Sequence, residues 1–163
     1  MSSETVRSTF DRNATTIDRR TSLCPDQTIP SAHESAPVEL LAGTRLGEGL
    51  RALGWNVMVR GLDASFPPPT PSALAHARSA FARIPDGATV LVDGLAFGAM
   101  PEIAAAEAQR LRLVALVHHP LALETGLEKG RAEALRASEA AALAAARAVI
   151  TTSAATARAL ADY

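Results

Sequence analysis

Residues 37–163 predict an α/β fold, a doubly wound parallel sheet of Rossmann-like type, on three observations. Short strand-like runs alternate with helical segments, which is the order of a βαβ chain. The runs WNVMV (55–59), ATVLVDG (88–94), LVALV (113–117) and AVITT (148–152) are almost continuously apolar, as strands covered on both faces must be. Apart from Gly94, which closes ATVLVDG, glycine and proline fall between the runs.

The elements follow in order. A short helix is predicted over residues 44–53, stopped by Gly54, and WNVMV follows as a strand. PPPTP (67–71) is stiff punctuation before a second helix over 72–83. Pro85, Asp86 and Gly87 turn the chain into ATVLVDG. Pro101 suits the first turn of a third helix reaching Leu111, and LVALV follows. Residues 131–148 are dominated by alanine, the strongest helix former, and lead into AVITT. Ser153 is placed to cap a last helix, which is expected to continue to the final residue, Tyr163.

Before Pro37 the composition differs. Residues 1–36 scatter a few apolar side chains among Ser, Thr, Asp and Arg without helical or strand period, so they are expected to form a disordered tail. The chain therefore divides into a tail, 1–36, and one domain, 37–163.

Bulk composition excludes several classes. With 163 residues and 48% hydrophobic content the chain suits a single core. Lys plus Arg number 16 against 17 Asp plus Glu, giving a net charge of -1 without basic runs, so nothing points to nucleic acid. No apolar run approaches the roughly 18 residues needed to span a bilayer. Membrane association is otherwise not legible. Cys24 stands alone, which supports neither a disulfide nor a metal cluster and makes a reducing cytoplasm the default setting; no metal or cofactor is expected.

In open parallel sheets the ligand crevice lies beyond the carboxyl ends of the strands. Polar residues gather at those ends: Asp93 and Gly94, then His118 and His119, then Thr152 and Ser153. Each has a structural alternative. A strand-end histidine can satisfy a nearby carbonyl, Asp93 can form an Asx turn, and Thr152 and Ser153 can cap a helix. Glu124, in the loop after the histidines, can reach the crevice or remain solvated. Gly47, Gly49 and Ala52 fit G-x-G-x-x-A, with Arg60 placed to read a 2′-phosphate, but the fingerprint needs a strand immediately before its first glycine. An NAD(P)-binding oxidoreductase domain is accordingly a minor alternative.

The blocks LRALGWNV, VLVDGLAFGAMPEIA, LVALVHHPLALETGL and LRASEAAALAAARAVITTSAATARALADY together resemble the N-terminal half of a family 4 glycosyltransferase of the GT-B type. The resemblance covers about residues 43–163. It implies two Rossmann-like domains facing across a cleft, the first holding the acceptor. The second binds a nucleotide-sugar donor, usually without a metal, and transfer retains the anomeric configuration. His118 matches the strand-end histidine that reaches the donor sugar near the reacting carbon, and is the expected catalytic residue. Asp93 and Gly94 match the strand end facing the acceptor, and Thr152 and Ser153 the helix start near the cleft. His119 and Glu124 belong to the HHPLALETGL block and are expected to contact substrate.

The resemblance also implies two departures. The donor half is not among these residues, so the chain is expected to be inactive alone and to require a separate donor domain; a non-catalytic binding remnant of the fold is the alternative. The family's first strand would lie at the sheet centre, placed by the order 3-2-1-4-5 between WNVMV and LVALV. Only VELLA (38–42) can fill that gap, and Glu39 suits a covered strand poorly. An unfilled gap predicts a truncated, marginally stable fold.

Overall fold

The computed structural model describes residues 38–41 and 46–163, with the backbone of residues 15–18 and 44–45. Among the described residues six strands form one sheet: β1 (Thr15–Asp18), β2 (Val38–Leu41), β3 (Val57–Val59), β4 (Thr89–Asp93), β5 (Arg112–Val117) and β6 (Ala148–Thr151). Their order is β1-β6-β5-β4-β2-β3, parallel except for β1, which runs antiparallel to β6. The helices are α1 (Thr44–Ala52), α2 (Pro71–Ala82), α3 (Gly94–Gly98), α4 (Pro101–Glu107), α5 (Lys129–Ala145) and α6 (Ala154–Leu160). The fold is Rossmann-like, a doubly wound parallel sheet with an antiparallel edge strand. No helix among the described residues is long and apolar enough to cross a membrane.

Local chemistry accounts for the boundaries. Gly54 takes a φ of 86°, the left-handed conformation that lets the chain leave α1 and enter β3. Thr70 caps α2 by accepting the Ala73 N–H at 3.1 Å, and Pro71 occupies the first turn, where its missing N–H costs nothing. Strand residues alternate faces, and this sorts the core into two clusters. Val90, Val92, Leu113, Ala115, Val117 and Val149 meet Phe81, Phe97, Ile103 and Leu143 from α2 to α5. Leu40, Val57 and Leu91 on the other face meet Leu50 of α1. Right-handed crossovers dictate this division: β2 to β3 runs one way across the sheet, and every later connection runs the other way.

Three expectations are corrected. First, Val38–Leu41 does fill the sheet, but lies between β3 and β4, so the parallel strands are ordered 2-1-3-4-5 rather than 3-2-1-4-5. Glu39 is 1% exposed there and is matched by Arg60, whose Nε and Nη2 donate to Oε2 at 2.7 Å and Oε1 at 3.3 Å. The pair answers the objection to a buried carboxylate, and the filled strand removes the reason given for marginal stability. Second, within the expected tail Thr15–Asp18 form a strand; the rest of residues 1–37 lies outside the described residues. Third, α6 ends at Leu160, before the final residue. The glycines of the dinucleotide pattern sit within α1, in line with the helix predicted over 44–53, and not at a strand-to-helix turn. A Cβ on Gly47 would come within 2.8 Å of Val59 Cγ2, so that glycine serves close packing of helix on strand.

Candidate functional site

In the order 2-1-3-4-5 the chain reverses direction across the sheet between β2 and β4, and ligands of such folds bind outside that switch point. A cleft of about 340 Å³ lies there. Leu41, Leu62, Phe66 and Leu95 give it apolar walls, and Asp63 and Asp93 place carboxylates on it. Asp63 is held below the usual carboxylate range, chiefly because it accepts the Ser65 backbone N–H at 2.9 Å. It is therefore an anion at any physiological pH.

Asp93 ends β4 and has two roles. Its Oδ1 accepts the Leu95 N–H at 2.9 Å, capping the short helix α3, which sequence periodicity had not indicated because GLAFG carries two glycines. Its Oδ2 lies 3.9 Å from His118 Nε2 on the neighbouring strand end. The Asx and ligand-facing readings of Asp93 are thus compatible. Gly94 is required by close approach. A Cβ there would stand 2.9 Å from the Leu116 carbonyl oxygen and 3.0 Å from Val117 Cα, so only glycine lets α3 begin against β5.

The turn carrying both histidines is anchored at each end by a buried polar side chain. Thr156 Oγ1 donates to the His118 carbonyl at 3.0 Å and lies 2.9 Å from Ser153 Oγ, which itself caps α6 by accepting the Thr156 N–H at 3.0 Å. At the other end Glu139 Oε2, from a fully buried side chain of α5, accepts the Leu121 N–H at 3.0 Å. Ser138 donates to the Gly98 carbonyl at 2.7 Å, joining α5 to the end of α3 as well. The imidazole of His118 remains exposed above this fixed main chain.

The other candidates separate. His119 is exposed on the same turn. Ser153 is a cap, and Thr152 donates its backbone N–H to Val117 at 3.3 Å, which ties β6 to the end of β5. Glu124 is exposed, and its carboxylate makes no hydrogen bond or ion pair with a described residue. Arg60, offered as a phosphate reader, is committed to Glu39, and that contact raises its pKa. No group of three or more His, Cys, Asp or Glu among the described residues is arranged to hold a metal ion.

Comparison with family models, with curated proteins and with solved structures gives no match to this chain. The geometry of the rim must accordingly carry the functional reading.

Glu139 and Thr156 were not singled out from the sequence. Glu139 lies in an alanine-rich helix where a charge ordinarily marks the solvated face, and its partner Leu121 is 18 positions away. Burial raises its pKa, an effect opposed by the Leu121 N–H, by Tyr163 and by His119. The same burial, with the nearby carboxylate, pushes the Tyr163 phenol up to about 12, while Arg136 lies over its ring at 4.5 Å.

A pH-dependence follows from Glu139. The folded state binds the proton more tightly than the unfolded chain, so its contribution to stability is greatest below the ordinary carboxylate value and falls as pH rises through the raised folded value. Glu139→Gln keeps an oxygen for the Leu121 N–H and removes the charge. Chemical denaturation at several pH values should show the variant gaining on the parent as pH rises through that window. A stability difference that stays constant with pH would mean that Glu139 is ionised at no cost.

Proposed function

We propose that this chain is the acceptor-binding half of a retaining glycosyltransferase that uses a nucleotide-sugar donor, the donor being held by a separate Rossmann-like unit. The observation that carries the reading is the placement of Asp93 and His118 side by side at adjacent strand ends, next to an apolar cleft at the switch point. An acceptor with an apolar portion would lie along Leu41, Phe66 and Leu95, with a hydroxyl directed toward the carboxylate of Asp93. His118 would face the donor sugar near the reacting carbon, where an imidazole on a fixed main chain can orient and polarise it with little reorganisation. His119 stands on the same turn as a further substrate contact, and Gly94 lets α3 begin against β5, which keeps Asp93 beside His118.

The test pairs this chain with a donor-binding unit of the resembled family, a panel of nucleotide sugars and hydroxyl-bearing acceptors with apolar tails. Transfer is expected, and His118→Ala should lower turnover by about a hundredfold or more, the range found when a positioned acid, base or dipole is removed. Equal turnover in that variant would take His118 out of the mechanism, and an absence of transfer to every acceptor would count against the glycosyltransferase reading itself.

A further inference from the structure

At the opposite end of the sheet, the amino-terminal ends of β4, β5 and β6 frame a second cleft of about 250 Å³, more enclosed than the first. Arg110, Arg112, Arg147 and Gln109 line it, beside the last turns of α4 and α5. Arginines near helix C-termini ordinarily offset the negative end of the helix dipole. Arg110 fits that description. It donates to the carbonyls of Phe81 at 2.9 Å and of Ile84, and pairs with Asp86 at 3.0 Å and with Glu107.

Arg112 and Arg147 do not fit it. Both are exposed, and neither side chain makes a hydrogen bond or ion pair with any described residue. No carboxylate lines the cleft among the described residues, and the two acids nearest in the chain, Asp86 and Glu107, are already engaged by Arg110. Their backbones are nevertheless fixed: Arg112 N–H donates to Ala88 at 2.9 Å and Arg147 N–H to Leu113 at 2.8 Å. Two guanidiniums without a counter-ion among the described residues are thus mounted on strand starts around a recessed, polar space.

We propose that this cleft binds a phosphoryl group, at a site separate from the Asp93–His118 rim and independent of the glycosyltransferase reading. A guanidinium fork matches the paired oxygens of a phosphate, and two such cations balance the roughly -1.5 to -2 charge of a phosphate monoester near neutral pH. Arg110 supplies a third cation whose charge is already shared with its two carboxylates. The Gln109 side-chain amide can contribute a neutral donor.

The test titrates inorganic phosphate into the full chain at constant ionic strength and follows backbone amide resonances, with chloride as the control. Saturable shifts at Gly87 and residues 109–112 and 147 are expected, with the amides of residues 93 and 118 unmoved. Arg112→Gln and Arg147→Gln should each weaken binding about tenfold or more, the loss expected for one charge-assisted contact, whereas Arg78→Gln on the exposed side of α2 should leave it unchanged. Sedimentation with vesicles bearing a phosphomonoester headgroup, against phosphatidylcholine vesicles, separates a membrane source of the phosphoryl group from a soluble one. Shifts that chloride reproduces, or that survive the double Arg112→Gln/Arg147→Gln replacement, would overturn the site. So would vesicle binding without saturable binding of free phosphate, since surface charge alone would account for it.

Discussion

Arg60→Met should destabilise the fold by about 3–5 kcal/mol, the range for removing one partner from a buried ion pair. Glu39 sits on β2, an interior strand with the edge strand β3 on one side and β4 on the other. Its side chain is 1% exposed, and Arg60, at 23%, is its ion-pair partner. Losing the guanidinium strands a carboxylate where water cannot reach it, which costs far more than the pair contributes when intact. The double replacement Glu39→Leu/Arg60→Met should accordingly recover the stability of the parent or exceed it, because an apolar pair of similar volume has no desolvation cost to offset. Urea denaturation of the parent, both single variants and the double variant closes the cycle. If Arg60→Met moved the midpoint by less than the equivalent of about 1 kcal/mol, Glu39 would have to be solvated in some other way, and the pair would be incidental.

Gly94→Ala should have the second largest effect, about 1–3 kcal/mol of overpacking together with displacement of the rim. The atoms that a new methyl would meet are main-chain atoms of β5, at 2.9 and 3.0 Å, and a backbone held in a sheet cannot rotate aside as a long side chain can. Relief requires α3 to lift away from β5. That movement separates Asp93 from His118, since Asp93 is the cap of α3 and His118 directly follows β5. The expected signature is a lowered unfolding midpoint with chemical-shift changes concentrated at residues 93–98 and 116–119. Gly49→Ala is the control, because a Cβ there would meet nothing within 4 Å, and alanine favours the helix it lies in. Equal effects of the two substitutions would show that the close approach at Gly94 does not matter.

What could be read from the sequence was whatever depends on neighbours along the chain. The parallel strands, the cap at Ser153 and the stop at Gly54 all follow from local pattern, and strand ends located Asp93 and His118 on one rim. The order of the sheet was misassigned because pairing between β2 and β4 joins residues far apart, and apolar runs of equal length do not label their partners. Glu39 seemed to argue against a covered strand only because its partner, Arg60, is 21 positions away and had been given another role. Thr15–Asp18 escaped notice for a different reason. An edge strand needs only one covered side, and four residues give too short a pattern to register.

The doubly anchored turn sets the time on which the candidate site can rearrange. With the His118 carbonyl held by Thr156 and the Leu121 amide held by Glu139, the imidazole can search space only by torsion about its own side-chain bonds. Such rotations of an exposed ring take roughly picoseconds to nanoseconds, whereas reshaping a loop takes microseconds or longer. The 3.9 Å between His118 and Asp93 is therefore a gap that the ring can open or close faster than any ligand arrives or leaves.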